Sequence, residues 1–296
     1  MRILLTGKNG QVGGELQHIL SELGETTATS RSELDLSDPD QIRNTVRHFR
    51  PELIVNAGAY TAVDKAESEP EIARAVNGIA PGILAEEART VGAALIHYST
   101  DYVYSGEARA KPYLETDSTD PASVYGKTKL EGDLAIEKSG VPHLIFRTSW
   151  IYGREGKNFL RTILRLAGGQ EELRVVDDQI GTPTWCRSIA ESTGQIVVQL
   201  LKRGDGSFPE TVAEVSGVYH MTCGGRTSWH GFARSILGLA DPKPQPQLVG
   251  IPTKDYPAPA DRPAYSVLSN AKLKATFGIA LPDWEEALRY CLRSDI

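Results

Sequence analysis

Arg2-Ile-Leu-Leu-Thr6, Gly7-Lys-Asn-Gly10-Gln-Val-Gly13 and Gly14-Glu-Leu-Gln-His-Ile-Leu-Ser-Glu-Leu23 form the stretch that decides the fold. A short apolar run reads as a buried strand, and apolar residues at helical spacing read as a helix. Strand, glycine loop and helix are the first unit of a dinucleotide-binding fold. The glycines allow a tight turn, a close approach to a pyrophosphate and close packing of helix on strand. The helix N-terminus adds free amides and a positive dipole end. The spacing Gly-x-x-Gly-x-x-Gly departs from the commoner G-x-G-x-x-G, so the reading rests on the context of the motif, between the first strand and the first helix.

The chain continues in the same rhythm. A poor strand near Glu25–Ser30 ends in Thr29-Ser30-Arg31, where an acidic residue suits NAD and an arginine suits the extra phosphate of NADP, so Ser30-Arg31 leans towards NADPH. Asp35, just beyond, is placed to contact the adenine edge. Asp40–Arg50 reads as an amphipathic helix ended by Pro51, and Leu53-Ile-Val-Asn56 as a buried strand. That strand opens into Ala57-Gly58-Ala59-Tyr60-Thr61, small residues against which a cofactor can lie. A helix over Ala73–Val91 carries Asn77, placed to brace backbone near the site. The strand Ala93–Tyr98 delivers Ser99-Thr100-Asp101-Tyr102 to the same edge, and His143–Thr148 is a further buried strand. Alternating strands and helices argue for an α/β fold with a doubly wound parallel sheet.

Beyond Trp150 the alternation breaks. Helices are expected over Lys157–Ala167, Ile189–Leu201, Thr227–Leu239 and Asp283–Leu292, and strands over Leu173–Val176 and Gly217–Thr222. The Ile189 helix and the Gly217 strand are expected to return to the main sheet. Asp241–Pro263 is proline-rich, with Asp261-Arg262-Pro263 its ligand-touching piece. The expected division is a nucleotide-binding domain of residues 1–150 plus about 185–223, and a smaller substrate-binding lobe of residues 151–184 plus 224–296.

Chemistry enters with Pro121-Ala-Ser-Val-Tyr125-Gly-Lys-Thr-Lys129. A tyrosine and a lysine four residues apart on a helix share one face. A free phenol, with a pKa of about 10, is a poor proton donor at neutral pH. A lysine cation one turn away favours the phenolate and is expected to lower that value. A hydroxyl at Ser99 or Thr100 is placed to bond a substrate carbonyl beside Tyr125.

With 32 basic and 38 acidic residues the chain carries a net charge of −6, which gives no basic field for nucleic acid or for an acidic membrane. Cys186, Cys223 and Cys291 are scattered and form no metal spacing. The sequence runs directly into its first strand and holds no apolar run of membrane length, so a cytoplasmic protein is expected.

The glycine loop, Thr100 after a strand and Tyr125-x-x-x-Lys129 together resemble the extended short-chain dehydrogenase/reductase family. The likeness spans nearly the whole chain. It is carried further by Thr61-Ala-Val-Asp-Lys-Ala-Glu-Ser-Glu-Pro70, His97-Tyr-Ser-Thr-Asp-Tyr-Val103, Phe146-Arg-Thr-Ser-Trp150, Asp178-Gln-Ile-Gly-Thr-Pro-Thr184 and Arg262-Pro263. These motifs look like the branch that reduces the C4 keto group of dTDP-4-dehydro-L-rhamnose with NADPH or NADH. The resemblance implies a Rossmann-like fold and a nucleotide sugar as the small-molecule partner. It implies Tyr125 as the acid, Lys129 as its partner and ribose contact, and Thr100 on the sugar carbonyl. Asp101 and Trp150 would hold the sugar, with Tyr102 and Arg262 as further substrate contacts. Gly7, Asn9, Gly10, Gln11, Val12 and Gly13 would cradle the pyrophosphate. Arg31, Asp35, Leu36, Ala57, Gly58, Ala59, Tyr60 and Thr61 would line the remaining cofactor groove.

Some members hold Mg²⁺ at a glutamate-lined dimer interface. Glu15 matches that site, but Trp185-Cys-Arg187 stands where another glutamate belongs, so a cation there would meet an arginine. A monomer and a homodimer both remain open. Two rivals stand beside the reductase. A dehydratase on the same fold is disfavoured by Tyr102 after Asp101, where a catalytic glutamate is expected, and an epimerase would hold NAD tightly and show no net consumption of it. A non-catalytic regulatory subunit has no chemical need for an intact Thr100, Tyr125 and Lys129.

Overall fold

In the computed structural model, which describes residues 1–203 and 206–293, the first half of the chain alternates strand and helix. It comprises β1 (Arg2–Thr6), α1 (Gln11–Ser21), β2 (Glu25–Thr29), α2 (Pro39–Phe49), β3 (Leu53–Asn56), the short α3 (Val63–Ala66) and α4 (Pro70–Arg74), α5 (Ala80–Val91), β4 (Ala94–Thr100), α6 (Val124–Ser139) and β5 (His143–Thr148). Next come β6 (Ile151–Tyr152), α7 (Phe159–Ala167), β7 (Glu172–Val176), β8 (Ile180–Gly181), β9 (Thr184–Trp185), α8 (Cys186–Lys202) and α9 (Phe208–Ala213). The chain ends with β10 (Gly217–His220), β11 (Thr227–Ser228), α10 (Trp229–Ala240), β12 (Gln247–Ile251), α11 (Ala271–Phe277) and α12 (Trp284–Arg293).

The main sheet has six strands in the order β10-β5-β4-β3-β1-β2, all parallel. Every residue of β3, β4 and β5 is buried, which is why these strands read as unbroken apolar runs rather than alternating ones. Apolar cores lie on both faces. Leu16, Leu20, Ile189 and Ile196 of α1 and α8 belong to one, and Ile42, Val46, Leu84, Ala88 and Ile136 of α2, α5 and α6 to the other. β1 has β2 on one side and β3 on the other, so strand order reverses between β1 and β3, and a ligand crevice belongs at their C-terminal ends.

Local chemistry accounts for the element ends. The Asp38 carboxylate accepts from the Asp40 and Gln41 amides to start α2, with Pro39 at its first position, and Arg50 closes it in the left-handed region ahead of Pro51. Gly7 turns with φ +76°, and a Cβ there would stand 2.7 Å from the Gly58 Cα; a Cβ on Gly13 would stand 2.1 Å from the Gly7 carbonyl oxygen. The first glycine loop and the loop after β3 therefore touch backbone to backbone at the strand reversal.

Several expectations needed correction. The helix expected over Ala73–Val91 is three pieces: α4, a π turn over Ala75–Ile79, and α5. The segment expected as a helix from Thr227 begins with β11, which pairs antiparallel with β8. The proline-rich run contains β12, which pairs in parallel with β7 in a separate small sheet. The strand expected from Gly217 does return to the main sheet, beside β5, while α8 packs on α1.

Substituting Gly13→Ala drives a methyl into backbone and is expected to cost about 1–3 kcal/mol. Gly238→Ala, at an exposed α10 position with nothing within 4 Å of the new Cβ, is expected to gain roughly 0.5–1 kcal/mol. Thermal unfolding of both variants checks the opposite signs.

Candidate active site

The site is built where α6 starts against the end of β4. Ser123 caps α6 by accepting from the Gly126 amide at 3.1 Å. A Cβ on Gly126 would lie 2.3 Å from the Tyr102 carbonyl oxygen, so only glycine lets the first turn of α6 seat on the segment after β4. This contact sets Tyr125 beside Tyr102, edge to face with centroids 5.5 Å apart, and within hydrogen-bonding reach of the Thr100 side chain. Thr100 Oγ1 accepts from the Tyr102 amide at 3.2 Å and donates to Asp101 Oδ1 at 3.0 Å.

Lys129 is 1% exposed. Its Nζ lies 2.6 Å from the Tyr98 carbonyl oxygen and 3.0 Å from His97 Nε2. Burial pushes it down to about 8, against which the Asp133 carboxylate holds it up. Burial also raises the Tyr125 phenol, which the Thr100 hydrogen bond opposes and Asp101, Tyr102 and Asp133 reinforce. The phenol was expected below its ordinary value; in the structure it lies above it. Desolvation of the phenol dominates, and the amine is directed at β4.

The loop residues meet at the strand reversal. Thr6 Oγ1 accepts from the Gly58 amide at 3.1 Å and donates to Asn56 Oδ1 at 2.7 Å. A Cβ on Gly58 would meet the Leu36 side chain at 2.7 Å, so Leu36 floors this part of the groove. Asn77, in the π turn, accepts from the Tyr60 amide at 2.8 Å and donates to its carbonyl at 2.9 Å, bracing the loop that carries Ala57, Ala59 and Thr61. Gly10 precedes α1 at its cap position, with no side-chain cap and no acid in the first turn of the helix. Gln11 accepts from Asn158 at 2.9 Å, and Val12 and Gly13 are buried behind the exposed Asn9 and Gly10. An uncapped helix start with backbone-close glycines fits the pyrophosphate of a dinucleotide. Arg31 lies at the end of β2, largely exposed and 3.7 Å from Asp35, whose carboxylate Ser37 holds below its usual range.

On the other side, Arg262 pairs with Asp64 at 2.8 Å and contacts the Tyr102 phenol. The chain thus brings Thr100, Asp101, Tyr102, Tyr125 and Arg262 together. Trp150 stands two residues past Thr148, the β5 partner of Thr100, with φ +45° and its ring stacked 3.5 Å from Trp229. Sequence reasoning gave no role to His97, Asp133, Arg147 or Asp64. Asp133 had a visible signal, the same helix face at i+8 from Tyr125. Glu15 lies away from this cluster, 2.9 Å from Arg187 Nε and close to Cys186. An arginine on the carboxylate does not fit a divalent cation, and no group of three or more His, Cys, Asp or Glu among the described residues could hold a metal.

A doubly wound sheet with a hydroxyl, tyrosine and lysine at its carboxyl edge defines the extended short-chain dehydrogenase/reductase class. Residues 1–295 match the RmlD substrate binding domain family. A dTDP-4-dehydrorhamnose reductase of Burkholderia thailandensis is 49% identical over 99% of this chain and 98% of its own. Among solved structures, a dTDP-4-dehydrorhamnose reductase of Clostridium acetobutylicum superposes with a TM-score of 0.89 at 37% identity, covering 99% and 98% of the two chains. One from Bacillus anthracis, in complex with NADP, gives 0.88 at 33% identity and 98% of each chain. The chain belongs to the dTDP-4-dehydrorhamnose reductase family.

Asp101 is 2% exposed and burial raises its carboxyl to about 6. The folded protein therefore holds this proton more tightly than the unfolded chain. The stabilisation is whole below about pH 4 and is lost as pH rises through about 6, a change of roughly 2–3 kcal/mol. Denaturant titration at pH 4.5 and pH 7 is expected to show Asp101→Asn gaining on the wild type across this interval; parallel curves contradict it.

Proposed function

We propose that this protein reduces the C4 keto group of dTDP-4-dehydro-L-rhamnose to give dTDP-L-rhamnose, the last step in making that sugar donor for surface polysaccharide. The observation that carries this reading is the Thr100–Tyr125 contact with Lys129 buried behind it, in a chain whose relatives carry this name. When bound, a reduced nicotinamide supplies the hydride. Gly7, Asn9, Gly10, Gln11, Val12 and Gly13 would hold its pyrophosphate, and Leu36, Ala57, Gly58, Ala59, Tyr60 and Thr61 the rest of its groove. Arg31, with Asp35 beside it, favours NADPH over NADH through the additional phosphate.

Tyr125 Oη gives its proton to the sugar oxygen as negative charge develops there. Its raised pKa keeps it protonated through neutral pH, so the donor is always loaded. Thr100 is held by the Tyr102 amide, and its hydroxyl, which donates to Asp101 in the free site, turns to donate to the carbonyl oxygen. A Lys129 cation stabilises the phenolate left behind. Asp101, Tyr102, Trp150 and Arg262 hold the sugar nucleotide, and the ordering of these groups before reaction supplies the positional part of the rate. Residues 1–150 with about 185–223 serve as the nucleotide-binding domain, and 151–184 with 224–296 as the substrate lobe. The protein works in the cytoplasm, as a monomer or a homodimer, without a metal at Glu15.

Loss of reduced-nicotinamide absorbance with dTDP-4-dehydro-L-rhamnose tests the reading. Wild-type turnover is expected, faster with NADPH than NADH and unchanged by EDTA. In the same assay Tyr125→Phe is expected to lose on the order of 10²–10⁴-fold in kcat, the weight of a positioned acid, while still binding NADPH. Equal turnover in both proteins refutes Tyr125 as the acid, and no oxidation of either cofactor refutes the reductase.

A further inference from the structure

Behind the catalytic face lies a buried charged cluster that the reaction as described does not use. Asp133 is fully buried on α6, two turns past Tyr125 and one past Lys129. Its Oδ2 accepts from the Ser99 hydroxyl at 2.8 Å and from Arg147 Nε at 3.2 Å. Its Oδ1 takes no hydrogen bond and lies 3.9 Å from His97 Nε2, the nitrogen that is 3.0 Å from Lys129 Nζ.

The tautomer of His97 follows from a chain of donors. The Gly58 amide donates to Thr6 Oγ1, the Thr6 hydroxyl donates to Asn56 Oδ1, and Asn56 Nδ2 therefore donates to His97 Nδ1 at 3.0 Å. A neutral ring accepting at Nδ1 carries its proton on Nε2, directed at Lys129 and Asp133. Burial and the Lys129 charge both hold His97 well below its usual range, so the ring stays neutral. A lysine facing that N–H is opposed as a cation and supported as an amine. Asp133 does the reverse, but it already answers Arg147. With Lys129 charged the cluster carries two cations and one anion; with Lys129 neutral it is balanced.

We propose that Asp133 is the counter-charge that keeps Lys129 an ammonium, and that Arg147, which shares its carboxylate, and His97, whose ring proton faces the amine, limit that support, so that this cluster sets the charge of Lys129. This rests on the reductase reading. Around Lys129 lie Asp133 from α6, one turn on, and His97 and the Tyr98 carbonyl from β4; Tyr125 stands one turn back on α6, and Arg147 of β5 reaches the cluster through Asp133. Asp133 and His97 are positioning residues, acting through Lys129. The reductive rate needs Lys129 charged, so kcat/KM falls as pH rises through the Lys129 value. That value lies near 8, lowered by burial and raised by Asp133.

The test reads the alkaline limb of kcat/KM under saturating NADPH, and beside it the Lys129 Nζ resonance of ¹⁵N-lysine protein with bound NADP⁺, assigned by its loss in Lys129→Arg. Asp133→Asn removes the support and is expected to move both midpoints down by about one pH unit, with a rate near wild type at low pH. Arg147→Gln frees the carboxylate for Lys129 and is expected to move both midpoints up. A merely structural role lowers activity at all pH values and cannot shift the two variants in opposite directions. Should Asp133→Asn not fold, Arg147→Gln, which leaves the cluster balanced, decides alone: an upward shift supports the assignment and an unmoved midpoint overturns it. Absence of wild-type turnover strikes the reductase reading only, since the resonance still reports the order Arg147→Gln above wild type above Asp133→Asn; a common midpoint for all three overturns the inference.

Discussion

A lysine amine with 1% exposure, bonded to a strand carbonyl 2.6 Å away, is the constraint on which this site depends. An isolated buried ammonium is costly unless other groups answer its charge. The amine can be there only because α6 comes down hard on the end of β4, and that approach needs a glycine at 126 under the Tyr102 carbonyl. From this one docking follow the position of Tyr125, its contact with Thr100 and its edge-on packing with Tyr102. The cofactor loops depend on it as well, since Asn77, which clamps Tyr60, also reaches Thr128 on α6 at 3.4 Å.

The same burial that positions these groups alters their chemistry. Desolvation raises the phenol and lowers the amine, moving both towards their uncharged forms. A tyrosine that is always protonated is a loaded but weak acid. In the proposed reaction its strength at the moment of transfer depends on the charge of the lysine behind it, and this in turn on a buried carboxylate, arginine and imidazole. On that proposal the buried polar groups between β4, β5 and α6 are tied to the reaction through hydrogen bonds as well as through packing.

Much of this was legible in the sequence, for physical reasons. Buried parallel strands are unbroken apolar runs, and a glycine loop between strand and helix has one ready explanation, so β1, α1, β3, β4 and β5 could be read locally. Tyr125 and Lys129 are joined by helical spacing alone. What escaped was set by distant partners. β12 is a strand because β7 lies beside it, and nothing in Gln247–Ile251 announces that in a proline-rich run. The π turn at Ala75–Ile79 is an irregularity inside an otherwise good helical pattern. The pairing of Arg262 with Asp64 joins residues 198 apart in sequence. The phenol was expected below its usual value and lies above it, because spacing places two side chains on one face but says nothing of how dry that face is, or of which nearer acceptor the amine finds.

Net reduction at a sugar carbonyl, with the proton from Tyr125 and the hydride from a nicotinamide cofactor, is the function proposed for this site. The most direct measurement is isotope transfer: NADPH deuterated at the transferring position is incubated with dTDP-4-dehydro-L-rhamnose, and the product is located by NMR and mass spectrometry. One deuterium is expected at C4 of the sugar for each NADP⁺ formed. A rearranged sugar without deuterium, and with no cofactor consumed, would contradict it and assign the fold to epimerisation.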